Sequence, residues 1–380
     1  MTAAVSDGEG GSHEAAAIAE IVEGSTERAH RLTSIVSRHA ILIYLIVVLV
    51  VFSIVRPRSF ATFANYQSTL AIQAVVVIVA LGAAVSLVIG EMDLSIANNT
   101  ALAGAVIIGL QVNDHLSWPL AVLVTLIISV LIGLVNAIVV VRFHVPSFVA
   151  TLGMYTLLEG AWTYYLNGQT LVPLVQLPSA FYIIGRGTFL GLGAPVYIAF
   201  GCALVAWVVT TYLPLGRRAY ATGGNRDAAR LSGIRTTRII FLSFLVSGFL
   251  AGIAGIILGS EYGNAAPGAG SELLFPALAG VFLGATTVRV GRYNVVGTVI
   301  SVYAIAFLIS GLQQLGGVWA EQWVNPVFDG LFLILAVALS VGLSRQRDRR
   351  VALERLKSGR EREVLREMSK STVTEGKAHS

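Results

Sequence analysis

Cysteine is almost absent from this chain of 380 residues, and charge is absent from most of its length. The one cysteine, Cys202, lies inside an apolar run, so no internal disulfide and no C-x-x-C metal or redox pair exists. Between Ile41 and Leu213 the only carboxylates are Glu91, Asp93, Asp114 and Glu159, and the only arginines Arg56, Arg58, Arg142 and Arg186. A chain that is 55% hydrophobic and 12% charged, with its charges segregated in this way, would expose more apolar surface than water tolerates. Catalytic signatures are missing too. There is no G-x-x-x-x-G-K-[ST] phosphate loop, since the only Gly-Lys pair, Gly376-Lys377, is followed by alanine. Neither H-E-x-x-H nor G-x-S-x-G occurs, and the histidines are scattered, so no catalytic residue and no metal site is expected.

What is present is apolar helix. Stretches at 41–55, 68–89, 99–112, 118–141, 146–166, 195–213, 239–258, 273–284, 295–312 and 327–343 predict an all-α polytopic membrane protein of about ten segments. The third and eighth are too short for a simple crossing. They occupy equivalent places in two halves of opposite topology. Ala101-Leu-Ala-Gly104 in one recurs as Ala277-Leu-Ala-Gly280 in the other, after Asp93 and Glu272 respectively. This pattern fits two inverted five-segment repeats, each with a broken helix. Trp118, Trp162, Tyr164, Tyr165, Trp319 and Trp323, near segment ends, are expected as interfacial anchors.

Loop arginines orient the chain. Six of them lie between Pro214 and Arg238, and more follow Arg345, which places the 214–238 loop and both termini in the cytoplasm. Arg56 and Arg58 fall outside and break the rule. The net charge of +5 therefore reflects basic loops at a membrane and needs no nucleic-acid partner. Three regions result: a polar tail at 1–38, expected to be partly disordered; a membrane domain at 39–343; and a charged cytoplasmic tail at 344–380. The first of these does not resemble a signal peptide, because the apolar run begins too far in.

Two places carry polar chemistry. Gly90-Glu-Met-Asp-Leu-Ser95 interrupts the apolar pattern before the third segment, where Asp93 can cap the first turn or line a solute path. Ser95, Asn98 and Asn99 stand beside it as hydrogen-bonding groups for a hydroxylated solute. Glu159, inside the fifth segment, is expected to face a cavity or a partner, or to snorkel to the outer interface. The second place is the arginine loop. Asn225 predicts a helix cap and Gly233 a helix end, giving a short amphipathic helix with Ala228, Ala229 and Leu231 as its apolar face.

Gly90-x-x-Asp-Leu-Ser95, Pro146-Ser-Phe-Val-Ala-Thr-Leu-Gly153, Asn167-Gly168, Leu215-Gly-Arg followed by Gly223-Gly-Asn225 and Arg230-Leu-Ser-Gly-Ile234, and Gly297-Thr298 occur in one order. Together they resemble the permease subunits of bacterial carbohydrate-uptake ABC transporters of the ribose/xylose/galactoside class. The resemblance implies a multi-pass inner-membrane protein that works with a second permease subunit, as a homodimer or paired with a different one. A separate cytoplasmic ATP-binding subunit would energise it, and an external solute-binding protein would feed it. No cofactor is implied in this chain, because the partner hydrolyses the ATP. Gly224, Asn225, Ala228, Ala229, Arg230, Leu231, Ser232, Gly233 and Ile234 would form the coupling segment; Asp93, Ser95, Asn98, Asn99 and Glu159 would line or support the path. The sequence departs from the family pattern at Ala97-Asn98, at Glu159 and across Gly284–Asn294, which leaves the sugar open. An ion-coupled secondary transporter is the competing reading. A membrane scaffold with a lipid-binding loop is a third.

Overall fold

The computed structural model describes residues 39–174, 176–287, 291–316, 323–335 and 337–338. The tails expected at 1–38 and 344–380 lie outside them, as does Trp319. Helices stand on each of the ten apolar stretches: α1 His39–Val55, α2 Phe63–Val88, α3 Ile96–Val112, α4 Trp118–Arg142, α5 Ser147–Tyr165, α7 Ala194–Tyr212, α10 Thr236–Tyr262, α11 Leu274–Ala285, α12 Val295–Gly316 and α13 Trp323–Leu335. Three further helices occupy loops: α6 Ser179–Arg186, α8 Pro214–Gly224 and α9 Arg226–Leu231. Among the described residues, five helices (α2, α4, α7, α10 and α12) are long and apolar enough to cross a membrane. α2 is rich in valine, a poor helix former in water. In hydrocarbon that preference loses, because the backbone must satisfy its own hydrogen bonds.

The all-α expectation misses one small element. Thr188–Phe189 pairs antiparallel with Leu192–Gly193 between α6 and α7. Leu190 and Gly191 both have positive φ, 47° and 78°, the geometry of a tight hairpin turn whose twist matches its strands.

α2 and α10 form the buried centre, and α12 joins them, while α4 and α7 turn most of their surface outward. α10 meets α3 and α4 through Gly248, Gly252, Gly255 and Gly259. A methyl group on Gly248 would strike the carbonyl oxygen of Ser129, and one on Gly133 that of Phe244, so backbones touch at this crossing. Close approach of this kind replaces the hydrophobic drive that lipid cannot supply. At the other side, Phe60, Tyr66 and Phe307 pack edge to face, Phe52 lies tilted on Phe60, and together they fasten α1 to α12. A Gly248→Val variant is expected to lower detergent-solubilised stability by roughly 1–3 kcal/mol through overpacking. Gly201→Ala, where an added methyl group meets nothing within 4 Å, should be neutral or slightly stabilising. Thermal unfolding of both variants checks this.

α6 covers the end of α10. Ser260 Oγ donates to Phe181 O at 2.7 Å and accepts from Gly185 N at 2.8 Å, and Arg186 Nε donates to Glu261 O at 2.6 Å. α10 then stops at Gly263, whose left-handed φ of 68° closes the helix.

Candidate functional site

α2 ends at Val88, and Gly90, with φ of 82°, turns the chain into the non-helical run that precedes α3. Buried backbone in such a run needs partners. The first turn of α5 provides them. Met92 N donates to Ser147 Oγ at 3.1 Å and Leu94 N to Thr151 Oγ1 at 3.2 Å, while Thr151 Oγ1 lies 3.1 Å from Met92 O. Two hydroxyl residues on α5 thus hold the break open; both stand in the 146–153 motif, whose pattern assigns neither a role.

Asp93 sits at the centre and is 3% exposed. Its Oδ1 accepts from Ser95 N at 3.1 Å and Ser95 Oγ at 2.6 Å, and its Oδ2 accepts from Ser247 Oγ on α10 at 2.6 Å. Asn136 Nδ2 on α4 donates to Ser95 Oγ at 2.7 Å. Asp93 therefore caps the start of α3 and also ties α3, α4 and α10 together. Ser247 lies eleven residues into α10, roughly 16 Å along its axis, so the knot is deep in the helical bundle. Asn98 Nδ2 donates to Tyr155 O at 2.7 Å and Asn99 Nδ2 to Ser129 O at 3.1 Å. Asp93, Ser95, Asn98 and Asn99 are all buried, and none faces an open path in this conformation. Trp162, expected at an interface, is buried too, with Nε1 3.4 Å from Asn98 Oδ1.

The α3–α4 seam is not fully satisfied. Asn99 Oδ1, Ser129 Oγ and Asn136 Oδ1 are buried without a hydrogen-bond partner. Each such atom costs on the order of 1–3 kcal/mol relative to a paired one. Glu159 is elsewhere. It is exposed on α5, and among the described residues no cation pairs with it. It shares the outward side of α5 with Gly153, Thr156, Gly160 and Thr163, a strip of small and polar groups on an otherwise apolar helix. A cavity of about 260 Å³ lies between α3 and α10, bounded by Ala101, Gly104, Gly259, Tyr262, Asn264 and Glu272. A larger cleft of about 540 Å³ between α2, α7, α8 and α10 has only Thr210, Ser243 and Cys202 to offer besides apolar groups and carries no binding chemistry for a polar solute. Among the described residues no cluster of His, Cys, Asp or Glu could hold a metal ion.

The arginine loop holds more structure than expected. α8 precedes the foreseen helix and packs Leu215 and Ala219 against Ile89, Ala137 and Phe244. Tyr220 Oη donates to Tyr293 O at 2.8 Å. Gly223 lies so close to the end of α2 that a methyl group there would strike the carbonyl oxygen of Val88. Asn225 caps α9 as expected, accepting from Ala228 N at 2.9 Å, and Gly233 follows with φ of 80°. α9 is six residues long, shorter than the segment predicted from 225 to 234. Its faces also differ from the prediction. Ala229 is 4% exposed and turned into the body of the protein, whereas Leu231 is 91% exposed. Arg226 reaches Glu91 in the break and forms an ion pair with it.

Comparison with known proteins places this architecture. A family model described as the permease component of branched-chain amino acid transport systems matches residues 65–337. The ribose import permease protein RbsC of Haemophilus influenzae is 34% identical over 78% of this chain and 90% of its own length. The protein of the same name from Bacillus subtilis is 32% identical over the same shares. The autoinducer 2 import system permease protein LsrC of Salmonella paratyphi B is 29% identical over 72% of this chain and 79% of its own. No solved structure matches. With apolar helices throughout, a polar break knotted by Asp93 and a family model covering most of its length, the chain belongs to this family of membrane-transport permease components.

Proposed function

We propose that this chain is the permease subunit of an ABC importer, working as a pair of copies and driven by a separate cytoplasmic ATP-binding subunit. The observation that carries the reading is α9. It presents Leu231 to the outside of the molecule while its other side is anchored to the polar break through Arg226 and to the body through Ala229. An apolar anchor on a short helix, fixed from behind, suits insertion into a partner's groove. An external solute-binding protein would deliver the solute.

Ten crossings with both termini inside, in two inverted halves, fit the loop contacts. Five contacts join loops that this count places on one side: Arg226 with Glu91, Tyr220 with Tyr293, Arg56 with Leu315, Arg186 with Glu261, and Leu171 with Ala265. The inner membrane of a bacterium is the corresponding location. The outward strip of α5, with Thr156, Glu159 and Thr163, would line the path where two copies meet. The unpaired atoms of the α3–α4 seam favour a second arrangement in which those helices part and water reaches them.

The solute class follows from the absence of charge. An amino acid would call for fixed charges facing its ammonium and carboxylate groups, and the described helices offer only Glu159 on the open strip. A neutral sugar or sugar-like polyol agrees with that, and with the names of the ribose and autoinducer 2 permeases. The test is uptake by proteoliposomes holding the permease, its cognate ATPase and binding protein, with labelled D-ribose and L-leucine as probes. ATP-dependent uptake of the sugar and not of leucine is expected; the reverse would overturn the solute class. Glu159→Gln should reduce uptake about three- to ten-fold if the carboxylate serves the path, the usual default for an ionisable residue at membrane depth. Unchanged uptake would remove Glu159 from it. A secondary transporter would need ionisable residues exposed in mid-membrane; Asp93 is enclosed by its partners, which leaves Glu159 as the candidate for that reading.

A further inference from the structure

Glu91 is a buried carboxylate, 6% exposed, in a run whose other polar groups serve to hold the break. Its partner, Arg226, comes from the first position of α9, 135 residues away. Just ahead of α9, Gly223 at the end of α8 meets the backbone of Val88 at the end of α2, three residues before Glu91. From Glu91 only the short non-helical run 92–95 leads to the start of α3, and Ser147, Thr151 and Ser247 hold that run in place. α9 is therefore tied to the run ahead of α3 by one charged contact, while α8, which leads into α9, rests on the end of α2 by one steric contact.

We infer that the Glu91–Arg226 pair is the strut by which displacement of α9 is passed to the broken start of α3. This rests on the reading of α9 as the docking helix of an ATPase subunit. A steric contact transmits only a push. An ion pair with one partner buried also transmits a pull, because separating it leaves a carboxylate without compensation in a dry site. A cycle that returns needs both. Glu91 is a positioning residue here: it touches neither solute nor nucleotide, and it acts through α3.

The test follows α3 directly and needs no solute. In a Cys202→Ala background, Ala101→Cys places a thiol on α3 beside the cavity between α3 and α10. The permease–ATPase complex is labelled with a membrane-impermeant maleimide, without nucleotide and after trapping with ATP and vanadate. With Glu91 present, trapping is expected to change the labelling rate at least five-fold. Glu91→Gln should leave co-purification with the ATPase and its basal ATP hydrolysis intact but abolish that change. Glu91→Arg combined with Arg226→Glu should restore it, an outcome that a purely local structural role does not predict. A normal change in Glu91→Gln would overturn the strut, as would no change with Glu91 present despite ATP hydrolysis. Loss of co-purification in Glu91→Gln would also overturn it, by placing the pair in docking. Failure of the Glu91-containing permease to bind the ATPase at all would instead remove the parent reading.

Discussion

Leu231→Glu is expected to abolish association with the ATPase subunit while leaving the permease folded. Leu231 is 91% exposed at the end of α9 and makes no contribution to the core. Burying one leucine side chain in a partner's groove contributes about 1.5–3 kcal/mol. Two copies in a dimer double the effect, and a carboxylate in an apolar groove adds a desolvation cost. A combined loss of roughly 3–6 kcal/mol corresponds to a weakening of at least about 100-fold. Co-purification in detergent reads this loss, and an unchanged thermal midpoint shows that the fold survives. Retained association would take α9 out of the interface. The corresponding change at Ala229 is a poorer test. Its side chain faces the body at 4% exposure, so Ala229→Arg would disturb the permease before it reached any partner.

Asp93→Ala carries the second large effect. The substitution removes the acceptor for Ser95 N, Ser95 Oγ and Ser247 Oγ together, all in a buried setting. Orphaning buried donors costs about 1–3 kcal/mol each, and some will find other acceptors, so a loss of roughly 2–5 kcal/mol is expected. Ser247→Ala should cost less, about 1 kcal/mol, because it removes one bond and leaves the cap of α3 in place. Thermal unfolding in detergent measures both. An Asp93→Ala protein as stable as the parent would show that the knot does not hold the three helices. A path-lining role alone would predict that outcome, with uptake lost and stability kept.

The helices were legible because hydrocarbon leaves the backbone no alternative: a long apolar run must satisfy its own peptide groups. The start of α3 came earlier than the apolar stretch suggests, at Ile96, because Asn98 and Asn99 belong to the helix and are buried by partners on α4 and α5. The Asn225 cap and the Gly233 end are local features, and local sequence carries them. The face of α9 is not local. Ala228, Ala229 and Leu231 form one apolar group in sequence, and only packing against the body decides that Ala229 turns in and Leu231 out. The knot is further out of reach. Asn136 lies 41 residues from Ser95, and Ser247 lies 154 from Asp93. Serine and asparagine in apolar helices carry no signature of their partner. Glu91 and Arg226 were visible as charges, yet nothing short of the fold pairs them.

The central claim is that energy enters through α9 from a partner's ATP. Proteoliposomes containing the permease, its ATPase and its binding protein test it most directly, with labelled sugar outside and either ATP inside or an imposed proton or sodium gradient. Uptake should require internal ATP and the ATPase, fall to background with Leu231→Glu, and ignore the gradient. Uptake driven by the gradient in the absence of the ATPase would contradict the claim.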